Sequence, residues 1–318
     1  RYGSMKKCTF ARGGRLAPVL LSAALILSLF AGCAAKAEPE TPITANGVQR
    51  YYERRAASDT EHDYSRMSLE SLDKMSIGTG SAVDTDELRL ELTGAVRCGE
   101  SAEIVLRCTA KNLSTVLRDG ATPKNYRFSD ETVPLTMSGS FDAVSFAYIF
   151  SDEDDTLAPN QFELHYWLVQ YPSIPDSITL TLTNFGYYDG PFTPIIEGIW
   201  TVDVAFDAAE NTARTANVQQ TLTAGNVSFL LENVQISPFA CTVLVSPQGE
   251  RGDAYPVFVK GMQECMLTLT DGTILDADAF HAEFSQKDDF RCFLTFFAPI
   301  AAEDIVSLTL FGSEIPLT

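Results

Sequence analysis

Glu87-Leu88-Arg89-Leu90-Glu91-Leu92 decides the fold. Leucine takes every second position and a charged group takes the others. Successive strand side chains point to opposite faces, so this spacing predicts a strand with one dry face and one wet face. The beat returns in Ile104, Leu106 and Cys108 against Glu103, Arg107 and Thr109, and in Ile178, Leu180 and Leu182 against three threonines. It returns again in Trp200, Val202, Val204 and Phe206 against Thr201, Asp203 and Asp207.

Working toward the carboxyl terminus, a polar stretch from Ala208 to Asn217 reads as an interdomain boundary. Beyond it Val227, Phe229 and Leu231 hold odd positions, whereas Val234 and Ile236 hold even ones. An extra residue near Glu232-Asn233 must restore the inward phase, which predicts a β-bulge. Further strands are expected at Cys241 to Val245, Tyr255 to Lys260, Cys265 to Thr270, Phe290 to Phe297 and Ile305 to Phe311, and Asp271-Gly272 marks a hairpin. Many short strands with few helical windows predict an all-β chain of two consecutive antiparallel β-sandwich domains, residues 86–208 and 209–318. An internal echo agrees: Asp176 to Leu182 runs into Phe185-Gly186, as Asp304 to Leu310 runs into Phe311-Gly312.

Working toward the amino terminus, residues 34–85 show no such alternation and carry Pro39, Pro42, Asn46-Gly47 and Gly78-Thr79-Gly80-Ser81. They read as a flexible tether reaching about 40 Å, with a short helix expected from about Asp63 to Met75. Ahead of them Lys6, Lys7, Arg12 and Arg15 precede an apolar run from Leu16 to Phe30, the layout of a secretory signal over residues 1–33. The run ends in Phe30-Ala31-Gly32-Cys33, which resembles a bacterial lipobox although Phe30 stands where Leu is usual. The resemblance implies lipidation of Cys33 and attachment to the extracytoplasmic face of the cell membrane. The alternative is a single-pass anchor, since about 20 apolar residues cross a bilayer; the positive flank puts the body on the same side either way.

Charge narrows the partners. The chain has 23 basic and 42 acidic residues, a formal net charge of -19. Without the first 33 residues, which hold five basic and no acidic groups, 18 basic face 42 acidic, a net of -24. Nucleic acid is excluded as a partner, because binding it requires a positive surface that displaces counterions.

The order Glu197-Gly198-Ile199-Trp200-Thr201-Val202, a polar joint, Asn226-Val227-Ser228, Val234-Gln235-Ile236-Ser237-Pro238 and a terminal Leu-Thr-Leu strand resembles the extracytoplasmic regions of Gram-positive anti-sigma-factor-like membrane proteins and related lipoproteins. Those regions carry two immunoglobulin-like domains of unknown function. The resemblance covers about Asp86 to Thr318 and implies the fold more than a role. With 15 residues ahead of the apolar run, the segment that would grip a sigma factor is expected to be missing.

Residues able to carry chemistry are few. The three histidines, His62, His165 and His281, stand in no zinc-binding spacing, and G-x-S-x-G is absent. No metal or cofactor is expected. Ser71-Leu72-Asp73-Lys74 matches S-x-x-K but lacks the companion S-D-N and K-T-G elements, so it reads as chance. Cys98, Cys108, Cys241, Cys265 and Cys292 fall on apolar strand phases and read as small buried hydrophobes, with one disulfide among the last three as the alternative. The acidic runs Asp152 to Asp155 and Asp276 with Asp278 read as solvated turns, and Arg251-Gly252-Asp253 reads as a hairpin turn. Tyr187, Tyr188 and Phe192 flank a loop at the end of a sandwich and are the candidate ligand-binding residues, since aromatic loops can stack on sugars or partner side chains.

The expected object is a lipid-anchored, non-catalytic binding or sensing module of the cell surface, with an unknown protein or cell-wall ligand. The alternative is a cell-envelope hydrolase or transpeptidase whose paired carboxylates leave no local motif.

Overall fold

Gly78 marks where one sheet turns into another. The structure, a computed structural model, describes residues 46–117, 125–129, 141–188, 191–207, 213–286 and 289–317. Strand β1 (Ser76–Gly80) pairs through Ser76 and Ile77 with β3 (Leu88–Cys98), then through Gly78 to Gly80 with β9 (Phe192–Phe206). A side chain at Gly78 would meet the Ala95 Cβ at 2.6 Å, so only glycine lets the strand pass between the layers. The short β2 (Val83–Asp84) pairs with β3.

On one side of β1 the order continues through β3, β4 (Ser101–Ala110), β7 (Gln161–Val169) and β6 (Ala143–Phe150). On the other it runs through β9, β8 (Ser177–Tyr188) and β5 (Asn125–Phe128). All described pairings are antiparallel. The alternating leucines behave as the sequence requires: Leu88, Leu90 and Leu92 join Ile104, Leu106, Ile178, Leu180, Leu182 and Trp200 in one buried core.

The second half repeats this arrangement. One sheet has the order β10 (Arg214–Ala224), β11 (Val227–Ile236), β12 (Ala240–Pro247), β16 (Phe290–Phe296), β15 (Phe280–Ser285). The other has the order β14 (Ile274–Leu275), β13 (Met266–Leu269), β17 (Ile305–Leu310), β18 (Ser313–Pro316). The register of β11 against β12 shifts between Leu231 and Asn233, the bulge that the phase change demanded. Asp271-Gly272 turns between β13 and β14, with Gly272 at φ 84°. The chain is therefore all-β and sandwich-like, with antiparallel sheets. The echoed segments lie in β8 and β17, both interior strands.

Three expectations are corrected. First, the stretch taken as a tether is structured from residue 46 onward. It forms helix α1 (Asn46–Ser58), a 3-10 turn (Leu69–Lys74), β1 and β2. Val48, Tyr51 and Tyr52, at i, i+3 and i+4, are buried against Val96, Cys98 and Val105 of β3 and β4 and against Phe239 and Ala298 of the second half. The helix expected at 63–75 is only that 3-10 turn. Residues 34–45 lie outside the described residues, as do Cys33 and the signal. Second, the expected strand 255–260 is part of helix α2 (Arg251–Gln263), whose Ala254, Phe258 and Met262 are buried at helical spacing. The β-branched, Pro-containing run misled because core packing overrides local propensity. Third, Arg251-Gly252-Asp253 is the first turn of that helix, not a hairpin. The boundary at 208–217 is likewise shorter than expected, with β10 starting at Arg214 and residues 208–212 outside the described residues.

Candidate functional site

Helix α1 packs on β3 and β4, and its side chains reach on to β7, which brings together residues far apart in sequence. Glu103 of β4 and His165 of β7 have side chains 1% and 0% exposed, and Glu103 Oε2 stands 2.8 Å from His165 Nε2. The Tyr52 hydroxyl donates to Glu103 Oε1 and accepts from Trp167 Nε1–H at 3.3 Å. The His165 ring stacks on Trp167, centroids 4.2 Å apart, and Tyr51 meets it edge-on at 4.0 Å.

Burial sets the protonation states. Desolvation drives the Glu103 carboxyl well above its ordinary range and the His165 imidazole well below its own, the latter helped by the Arg54 and Arg55 charges. Both directions favour a neutral carboxylic acid donating to a neutral imidazole. Burial also pushes Tyr51 up to about 12. A charged border surrounds this neutral centre: Glu163 Oε1 accepts from Arg107 at 2.9 Å and Arg50 at 3.3 Å, and Arg54 pairs with Asp154.

Beside the network opens a cleft of about 310 Å³, at the small end for ligand pockets. Its lining comes from Tyr51, Tyr52 and Arg55 of α1, Val144 to Ala147 of β6, Trp167 and Val169 of β7, and His281, Glu283 and Thr295 to Phe297 around β15 and β16. Tyr52 and Trp167 thus belong to both the cleft and the buried network. Phe146 is 37% exposed, among the few large apolar side chains so open to solvent. Arg55 is paired with Asp59 at 2.7 Å, so Glu283 is the acidic group of the lining.

Tyr187, Tyr188 and Phe192 are not brought to this cleft. Tyr188 packs on Phe192 with centroids 5.1 Å apart, the Arg127 guanidinium lies 3.5 Å from its ring centre, and its hydroxyl donates to the Ser129 carbonyl. Tyr187 meets Tyr126 edge-on. The three form the end of the β8–β9 hairpin against β5. Of the acidic turn, Asp154 is bound to Arg54 and Glu153 Oε2 accepts from the Phe150 amide at 2.9 Å. Among the described residues no group of three His, Cys, Asp or Glu side chains is placed to hold a metal ion. Ser71 of the S-x-x-K match is buried, its hydroxyl 2.9 Å from that of Ser68. The five described cysteines are buried and form no disulfide, so the alternative of one among Cys241, Cys265 and Cys292 is not realised.

The cleft escaped sequence reading because its walls come from five separated segments. One signal was present: Val48, Tyr51, Tyr52 and Arg55 have the spacing of an amphipathic helix.

No family model and no curated protein matches the chain. A solved structure described as the conserved domain protein from Bacillus anthracis is similar over 76% of this chain and 78% of that one, at 11% identity and a TM-score of 0.49.

Proposed function

We propose that this chain is a binding or sensing module of the cell surface, lipid-anchored through Cys33, and that its ligand enters the cleft between β6–β7, β15–β16 and α1. One observation carries the reading: Phe146, Trp167, Tyr52 and Phe297 surround an open cleft where the two β-halves and the helix meet. Concave sites lined by aromatic side chains with a few polar groups suit ligand capture, and domain junctions are a common place for them. Binding is favoured over catalysis because the hydrogen-bonded acid–base pair behind the cleft wall, Glu103 with His165, is sealed from solvent and held neutral, which leaves His281 and Glu283 as the acid–base side chains of the lining itself. A substrate in the cleft would meet the Tyr52 and Trp167 side chains first.

The test places a photoreactive phenylalanine at position 146 of the full chain in its native membrane, with the same residue at Ile199 as control. Ile199 is 73% exposed and lies outside the cleft. A defined adduct at 146 and none at 199 is expected. Identical labelling at both positions, or none at 146, would refute the cleft as the site. Cys33→Ala tests the anchor: the variant should leave the membrane fraction and lose its acyl label.

A further inference from the structure

We propose that the occupant of the cleft is an extended, cationic polypeptide segment that adds a strand to the free edge of β6. The inference rests on the reading of the cleft as the binding site and names its ligand class.

Strand β6 ends its sheet, with β7 as its single neighbour among the described strands. The Phe150 amide donates to Glu153 Oε2, and the Phe150 carbonyl accepts from the amides of Glu153 and Asp154. The Phe150 backbone is therefore turned away from β7. Hydrogen-bonding direction alternates along an antiparallel strand, and the β6–β7 register is unbroken from Ala143 to Phe150. Val144, Phe146 and Tyr148 consequently aim their N–H and C=O groups at the open side, and Val144 to Ala147 line the cleft.

Proteins usually blunt such edges with charge, proline, bulges or brevity. Other edges here show these devices. Strand β10 is bulged between Asn217 and Gln220 with Gln219 at φ 51°, β14 has two residues, β18 carries Pro316, and β15 carries His281 and Glu283. Strand β6, Ala-Val-Ser-Phe-Ala-Tyr-Ile-Phe, has eight residues and none of these devices. A strand added there would bond through its backbone while alternate side chains reach Trp167 and Phe297, the mode by which sheet edges take peptides.

Charge selects the sequence class. The chain carries a formal net charge of -19 and the lining presents Glu283 while Arg55 is committed to Asp59. That field steers cationic partners inward and repels anionic ones.

The probe is acetyl-Lys-Val-Lys-Phe-Lys-Val-Lys-amide, titrated into the full chain with amide hydrogen exchange as readout. Protection is expected in the segment holding Val144, Phe146 and Tyr148. N-methylation of one alternate set of peptide amides should weaken binding at least about tenfold, methylation of the other set should not, and Phe146→Lys should weaken it similarly without lowering the thermal midpoint. Equal effects of the two methylations, tighter binding of the Glu-for-Lys peptide, or protection away from β6 would overturn the inference. So would concentration-dependent protection of β6 without peptide, which would assign the edge to a second copy. If the peptide fails while free indole protects the cleft segments, the cleft reading stands and the peptide inference falls. If neither protects them, both fall.

Discussion

Glu103 Oε2 and His165 Nε2 stand 2.8 Å apart in a site that excludes water, and Tyr52, on a helix 51 residues earlier, closes the network from above. Two neighbouring strands supply the pair and α1 supplies the lid, so the network exists only when the helix is docked. A buried polar group left without its partner costs more than the hydrogen bond itself contributes. These side chains therefore fix where α1 lies, and Val48 and Tyr51, buried in one cluster with Leu72, add apolar packing to its attachment.

Tyr52→Phe should accordingly destabilise the fold by about 1–3 kcal/mol, since it strands Glu103 Oε1 and removes the acceptor of Trp167 Nε1–H. In a Glu103→Leu background the same change should cost distinctly less, because the carboxyl it would strand is gone. Urea unfolding of the four proteins measures the coupling. Equal costs in both backgrounds would mean that the network does not act as a unit.

The sheets were legible in the sequence because period-2 burial is a local signal: Leu88, Leu90 and Leu92 announce their face without reference to any other strand. The bulge near Glu232-Asn233 was legible for the same reason, as a break in phase. The helices were not. Tyr255 to Lys260 carries strand-like residues, and only contacts with Phe229, Phe284 and Phe290 make it helical. Helix α1 was hidden by the preceding Pro39 and Pro42 and by its own first residues, Asn46-Gly47, which resemble linker. The cleft needs the register of β6, β7, β15 and β16 at once, information that no single window contains.

Two glycines should respond in opposite senses to alanine. At Gly94 a Cβ would lie 2.8 Å from the Val48 amide nitrogen and 3.1 Å from the Gly47 Cα, so backbone of α1 or β3 must move. Gly94→Ala should cost about 1–3 kcal/mol, the range for overpacking. Gly252 in α2 has nothing within 4 Å of the added atom, and Gly252→Ala should stabilise by about 0.5–1 kcal/mol through helix propensity. Thermal and urea midpoints of the two variants check both signs.

The thiols should be silent in the native protein. Cys98, Cys108, Cys241, Cys265 and Cys292 are all buried, and none is joined in a disulfide. Desolvation pushes Cys265 up to about 12 and holds Cys108, Cys241 and Cys292 well above the ordinary thiol range. A thiol reagent followed by peptide mass mapping should modify these five only as the chain unfolds, and dithiothreitol should leave the thermal midpoint unchanged. Rapid labelling of any of them in the folded chain would contradict their burial.

Glu100 makes the joint between the two halves sensitive to pH. It sits in the turn between β3 and β4, 1% exposed, beside Thr242 of β12 and under the influence of Asp142 and Arg291. Burial pushes its carboxyl up to about 8 from an ordinary 4.5. The Thr242 hydroxyl and the Arg291 charge pull it back in part, and Asp142 adds to the rise. Among the described residues neither carboxyl oxygen has a hydrogen-bond partner in bonding geometry. Between pH 4.5 and 8 the folded chain thus holds a proton that the unfolded chain has released. Stability from this group is fully present below about pH 4.5, falls as pH rises, and is lost above about pH 8, a change on the order of a few kcal/mol. Urea unfolding of the full chain at pH 5, 6.5 and 8 should show that decline, and Glu100→Gln should flatten it while leaving stability near pH 5 little changed. A Glu100→Gln protein whose pH profile parallels that of the parent would assign the slope to other groups.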